Sequence, residues 1–234
     1  MQMTTHMTVG LNEYRLFRGV GKGALRRLEE KSETEIIPRD TIVVTEGDRL
    51  DSLYIVQAGV IELYASSPKN RKTIALLKPG DSFILAAVVH NAVALMSARS
   101  VGRAQILRVP AGLYRRVLHN DQRLLFNGLM EVAREFRRMV RHLRDQKLRS
   151  ADQRLAGYLM RLGREQGSEQ DMVLPVSKQL IASFLGIRSE SLSRAFLDLQ
   201  PIGVTVEGER VQIADPLALA QFAQIDQDID NAAT

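Results

Sequence analysis

From Gln122 to Lys147 the chain runs without a proline, and only Gly128 weakens a helix that Glu131, Arg134, Glu135, Arg137, Arg138, Arg141 and Arg144 otherwise favour. Within this stretch Phe126, Leu129, Ala133, Phe136, Val140 and Leu143 recur at steps of three and four, an a/d seam over about two and a half heptads. Such a stripe can pack on the chain's own domain. Leu125, Met130, Val132 and Met139 offer a second apolar face, and seven basic residues lie between Arg134 and Arg149. Two apolar faces suit a helix held between its own domain and a partner, so a homodimer is expected through the six seam residues.

Before this helix the texture differs. From Ile36 to Val109 short apolar runs such as TIVVTEGD, SLYIVQAGVIELYAS and AQILRVP alternate with turns at Gly47-Asp48, Ala58-Gly59, Pro68-Lys69-Asn70 and Pro79-Gly80. The pattern predicts an all-β domain of short antiparallel strands. Leu53, Ile55, Val60 and Leu63 read as half-buried strands around the Ala58-Gly59 kink. One run stands apart: GDSFILAAVVHNAVALMSA, residues 80–98, carries no formal charge between Asp81 and Arg99. It reads as a core strand, a membrane segment or a pocket wall. Its 17 residues from Ser82 to Ala98 include His90 and Asn91 and barely reach spanning length, which argues against the membrane.

Composition narrows the setting. At 234 residues and 45% hydrophobic content the chain can fill one large core or two ordinary ones. A net charge of +5 and a pI near 9.7 point to a polyanionic partner. With no cysteine, disulfides, cysteine-bound iron-sulfur clusters and zinc-thiolate sites are excluded. The first thirty residues have no basic segment leading into an apolar one, so the expected location is the cytoplasm.

After the long helix, Ser150-Ala-Asp-Gln153 reads as a capping box opening a helix that Gly167 ends, which makes Leu148–Ser150 a hinge candidate and begins a second domain. Its strongest signal is VSKQLIASFLGIRSESLSRAFLDL, residues 176–199. Two helices meeting at a tight turn need a small contact residue, a turn glycine able to take positive φ, and apolar locks. Ala182, Gly186 and the set Ile181, Leu185, Ile187, Leu192 and Ala195 satisfy these. Ser189 reads as the cap of the second helix. Lys178 and Gln179 on the first helix, with Ser189, Glu190, Ser191, Ser193 and Arg194 on the second, offer the chemistry that grips phosphates and reads base edges: arginine for guanine, glutamate for cytosine, serine for either. GVTVEGERVQI, residues 203–213, then reads as a hairpin turning at Glu207-Gly208. A helix-turn-helix serving protein contacts in a ligand-binding adaptor is the competing reading.

With these elements in this order the chain resembles a transcription regulator of the CRP/FNR superfamily over nearly its whole length, through EGDRLDSLYIVQAGVIELY, LLKPGDSF, the long helix and the helix-turn-helix. The resemblance implies an α+β fold. Residues 1–121 would form a double-stranded, cyclic-nucleotide-binding-like β roll and 122–147 a dimerisation helix; 148–220 would form a winged helix-turn-helix and 221–234 a tail. Glu190, Ser193 and Arg194 match the E-x-x-S-R pattern of the FNR-like branch, which implies a palindromic TTGAT-type operator on double-stranded DNA, with RNA polymerase as a further partner.

Relatives of the cyclic-nucleotide type carry a glutamate for the ribose after the Gly-Asp turn and an Arg-Ser pair for the phosphate. Here Leu85 or Ala86 and then Ala94-Leu95 stand in those places, and nothing offsets phosphate desolvation, so cyclic nucleotide is not expected. What remains is haem on an axial imidazole, as the similarity to the nitric-oxide-responsive members implies, a different small effector, or no ligand, with His90 and His119 as possible effector-pocket ligands and His142 on the long helix; the effector is otherwise unknown. No P-loop, G-x-S-x-G or H-E-x-x-H motif suggests an enzyme. Asp226, Asp228 and Asp230 lack the glycine and closing glutamate of a calcium loop and read as an acidic tail, and no metal site is expected.

Overall fold

The computed structural model describes residues 10–67, 70–226 and 229. Pro68 and Lys69, assigned above to a turn, lie outside the described residues, as do Asp228 and Asp230 of the tail. The chain forms two compact units, Met1–Glu135 and Phe136–Thr234. The division falls inside the long helix. Among the described residues no helix is long and apolar enough to cross a membrane.

In the first unit two 3-10 turns (Leu11–Glu13 and Arg15–Phe17) lead into α1 (Lys22–Glu29), followed by β1 (Glu33–Ile37), β2 (Ile42–Val44), β3 (Ser52–Ala58), β4 (Ile61–Ser67), β5 (Asn70–Leu77) and β6 (Ser82–Phe83). Then come α2 (Leu85–His90), β7 (Ser97–Ser100), β8 (Ala104–Pro110), α3 (Ala111–Asn120) and α4 (Gln122–Leu148). Its strands form two antiparallel four-stranded sheets, β1-β8-β3-β6 and β2-β7-β4-β5. Tyr54, Val56, Ile61, Leu63, Phe83, Ala98 and Ile106 fill the core that both sheets share. Leu53, Ile55, Leu107 and Val109 point the other way, into a second core with Phe17, Leu28, Leu85, Val88, Tyr114 and Leu124. Strand β3 is therefore buried on both faces along Leu53–Val56, not half-buried as its pattern predicts. Helices cover its outer face, where an uncovered sheet would meet water.

Two glycines have clear physical reasons. At Gly59 φ is +79°, and a Cβ would stand 2.6 Å from the Arg103 carbonyl oxygen. Gly186 has φ +67°, closing a helix.

The uncharged run is not one strand: it holds β6, α2 and the start of β7. After β6, Ile84 takes a left-handed conformation at φ 59°, the six residues of α2 follow, and Asn91 repeats the left-handed conformation at φ 53°. Leu85 and Val88, three apart, face the second core, while Ala86, Val89 and His90 are exposed. Ala94 is buried and Leu95 is 78% exposed.

Helix α4 is capped by Asp121, whose carboxylate accepts from the backbone N–H of Leu124 at 2.9 Å and of Gly21 at 3.0 Å. These hydrogen bonds hold the Asp121 carboxyl below the usual range. The face that α4 turns to its own unit is made by Leu124, Asn127, Glu131 and Val132, with Asn127 donating to the carbonyls of Leu16 and Arg18 at 3.1 and 3.0 Å. Leu125, Met130 and Met139, expected on that face, are exposed instead. They flank the seam around the helix, and only Val132 of the expected set packs inward.

The second unit adds α5 (Ala151–Gln166), β9 (Asp171–Val173), α6 (Lys178–Leu185), α7 (Ser189–Asp198), β10 (Val204–Glu207), β11 (Arg210–Ile213) and α8 (Pro216–Phe222). Ser150 and Gln153 form the expected capping box, and Gly167 closes α5 in a left-handed conformation. The α4–α5 corner is braced. The Arg149 side chain, 5% exposed, lies 2.8 Å from the Asp145 carboxylate and donates to the Gln224 carbonyl at 3.0 Å.

Candidate nucleic-acid interface

Helix α6 starts at Ser177, whose hydroxyl accepts from the Leu180 N–H, and ends at Gly186. The Ile187 N–H then donates to the Ala182 carbonyl at 3.0 Å, which tightens the turn into α7. Ile181, Ala182, Leu185, Leu192 and Ala195 are all buried between the helices, while Ile187 is half-buried. Behind them α5 packs against α7 and α8. The local sequence has only to place apolar residues on facing sides of two short helices, and the glycine sets the angle between them.

This packing leaves one side of the pair exposed. Ser189, Glu190, Ser193 and Arg194 are exposed on α7, Ser191 is half-buried, and Lys178 and Gln179 are exposed at the start of α6. The Lys178 ammonium lies 5.4 Å from the centroid of the Phe196 ring, a cation-π contact that steadies its long stem. Ser189 does not cap α7, as the sequence suggests. It is the first residue of the helix, the cap position belongs to Arg188, and no side chain caps it. The Ser189 carbonyl instead accepts from the Ser193 hydroxyl at 3.2 Å.

Strands β10 and β11 pair in the expected hairpin, with Glu207 opposite Arg210 and Gly208 at φ 60° in the turn. A third strand, β9, pairs with β11 and extends it to a sheet of order β10-β11-β9. Asp171 of β9 and Arg210 of β11 form an exposed ion pair, with Nε donating to Oδ1 at 2.8 Å, and this pair holds the Asp171 carboxyl low. Three residues of strand leave too short an alternation to detect in sequence.

The C-terminal turns of α4 dock on the same unit. His142 stacks on Phe184, and a Cβ at Gly186 would stand 3.1 Å from the Gln146 side-chain nitrogen. Asp145 faces Arg149 from one side and Arg161, at 3.5 Å, from another. Sequence reasoning assigned none of these contacts. Their only signal is a histidine and an aspartate placed among arginines.

Along α4 the seam stands open to solvent. Phe126, Leu129, Phe136, Val140 and Leu143 are exposed, Leu129 and Phe136 each by 64%, and Ala133 is half-buried. An apolar stripe of this length on one helix is unusual for surface facing water.

In the first unit His90 and His119 are exposed near the ends of α2 and α3, not set in an apolar wall. Among the described residues no cluster of three or more His, Cys, Asp or Glu could hold a metal ion. Arg99, just beyond the uncharged run, is already engaged: its Nε donates to the buried Glu62 at 2.6 Å and its NH1 to Asp40 at 2.8 Å, while Thr73 donates to Glu62 at 2.6 Å. An open groove of about 520 Å³ runs between α1 and the start of α3, with Pro110 and Leu113 in its lining beside Arg27, Lys31 and Arg116.

Two family models match the chain: a cyclic nucleotide-binding domain over residues 34–121 and a Crp-like helix-turn-helix domain over residues 153–222. The chain is similar to a CRP-like cAMP-activated global transcriptional regulator of Mycobacterium tuberculosis, 25% identical over 215 residues, covering 89% of this chain and 96% of that one. It is also similar to the nitrogen fixation regulation protein FixK of Bradyrhizobium diazoefficiens, 28% identical over 207 residues, with 85% of each chain covered. Among solved structures, FixK2 from Bradyrhizobium japonicum shares the fold with a TM-score of 0.72 at 20% identity, covering 87% of this chain and 99% of that one.

Proposed function

We propose that this chain, which carries the cyclic nucleotide-binding and Crp-like helix-turn-helix domain types of CRP/FNR regulators, is a sequence-specific DNA-binding regulator of that family acting as a homodimer on a palindromic, TTGAT-type operator. The observation that carries the reading is the exposed trio Glu190, Ser193 and Arg194 on α7, backed by Leu192 and Ala195 buried against α6. Arg194 is the base reader with guanine geometry, Glu190 accepts from cytosine, and Ser193 assists. Lys178, Gln179, Ser189 and Ser191 contact the flanking backbone or bases. A twofold dimer through the α4 seam sets two such helices about one helical turn apart.

On this reading residues 1–121 sense, 122–147 dimerise, 148–220 bind DNA and 221–234 form a tail. Cyclic nucleotide does not fit the sensor in the usual manner. Leu85 is packed in the core, Leu95 is a bare apolar side chain, and the Arg99 guanidinium is already held by Glu62 and Asp40. RNA polymerase is the expected second partner in the cytoplasm. The relatives are regulators, and no reaction is assigned to this chain.

The test is binding to a TTGAT palindrome against a scrambled duplex. Arg194→Ala costs about 1–3 kcal/mol on the palindrome and relaxes preference at one base position. If both affinity and preference were unchanged, the recognition-helix assignment would be wrong.

A further inference from the structure

We propose that Arg188 is a DNA-backbone contact that holds α7 in the groove, a role resting on the DNA reading above. The segment from Lys178 to Asp198 has two arginines, Arg188 and Arg194. Both are exposed, and neither has an ion pair or hydrogen bond among the described residues. Other arginines of this unit are engaged internally: Arg149 and Arg161 on Asp145, Arg154 on the Leu185 carbonyl at 2.9 Å, and Arg210 on Asp171.

Charge says what the free Arg188 is for. Glu190 stands exposed in the first turn of α7 with no cation on it among the described residues, and a bare carboxylate brought to a polyanion is repelled. Arg194 offsets that single charge. Arg188, two residues before Glu190, supplies the surplus that makes this end of the helix attractive to phosphate. Its position also separates its role from that of Arg194. Arg188 occupies the cap of α7 with extended backbone, φ −78° and ψ 154°, outside the helix. When the helix end enters a major groove, its own first turns face base edges and the residue before it faces the groove wall, which is phosphate. The planar guanidinium takes two phosphate oxygens at once, a geometry that lysine lacks.

The experiment compares wild type, Arg188→Ala, Arg188→Lys and Arg194→Ala on the palindrome and the scrambled duplex across a salt series. Arg188→Ala should weaken both duplexes equally, on the order of tenfold at low salt, and reduce the salt slope by about two per dimer. Arg188→Lys should restore the slope. Unchanged affinity and slope in Arg188→Ala overturns the proposal, and so does loss of preference for the palindrome alone, which would make Arg188 a base reader. Arg194→Ala keeps the two readings apart. If it loses base preference while Arg188→Ala is silent, only the Arg188 contact fails. If wild type prefers neither duplex, the DNA reading fails and takes this contact with it.

Discussion

The imidazole of His142 stacks on the ring of Phe184, centroids 5.0 Å apart and planes at 22°. This pair ties the last turns of α4 to the first helix of the helix-turn-helix within one compact unit. Burial holds the imidazole below its ordinary value; Arg161 and Arg154 act in the same direction, and Asp145 opposes them. The unfolded chain therefore binds this proton more readily than the folded one. The stabilising contribution is full above about pH 6.5 and is lost as pH falls below that toward the depressed folded-state value. Thermal melting of wild type should drop in that acidic window relative to His142→Phe, which keeps a ring on Phe184 and cannot titrate. Parallel pH profiles for the two proteins would sink this account.

The seam on α4 predicts the oligomeric state. Leu129→Asp with Phe136→Asp places two carboxylates on its most exposed apolar positions. Neither side chain is in its own unit's core, so the folded protomer should survive and sediment as a monomer, where the wild type should sediment as a dimer. A doubly substituted protein that remained a dimer would exclude this face.

The two candidate haem ligands, His90 and His119, are both exposed at helix ends. An axial imidazole works in a water-excluding pocket that tunes the iron. The protein as purified should therefore show no Soret absorbance, and its native mass should equal that of two chains with nothing added. A Soret band abolished by His90→Ala or His119→Ala would reverse this conclusion.

Gly59 predicts a large backbone effect. Alanine there would combine a strained φ of +79° with a Cβ driven against the Arg103 carbonyl oxygen. Gly59→Ala should cost at least about 2 kcal/mol in denaturant unfolding of the first unit. Gly47 also has positive φ, but nothing stands within 4 Å of its Cβ position, so Gly47→Ala should cost less. Equal losses would mean that strain alone, without the clash, governs Gly59.

The helix-turn-helix was legible because its requirements are local. Ala182, Gly186, Ile187 and Leu192 lie within a dozen residues, and each serves the same turn whatever surrounds it. The α4 seam was legible for the same reason: a repeat of three and four can sit on only one face of a helix. The run at 80–98 was not. Leu85 and Val88 carry the helical spacing, but their small apolar neighbours hide it, and what makes α2 a helix is the core waiting beneath those two side chains.

By itself the sequence determined the elements whose partners are near in the chain: the strands and turns of the first unit, the long helix, the capping box at Ser150, and the two helices and hairpin of the second unit. Only the tertiary structure decided which faces those elements bury. It covered both sides of β3, turned Leu124 and Asn127 of α4 inward while leaving Leu125 and Met130 outside, set Arg149 between Asp145 and Gln224, and spent Arg99 on Glu62. The physical reason is that burial and charge pairing are properties of neighbours brought together from far along the chain. A periodic pattern names a face, and only packing names what the face meets.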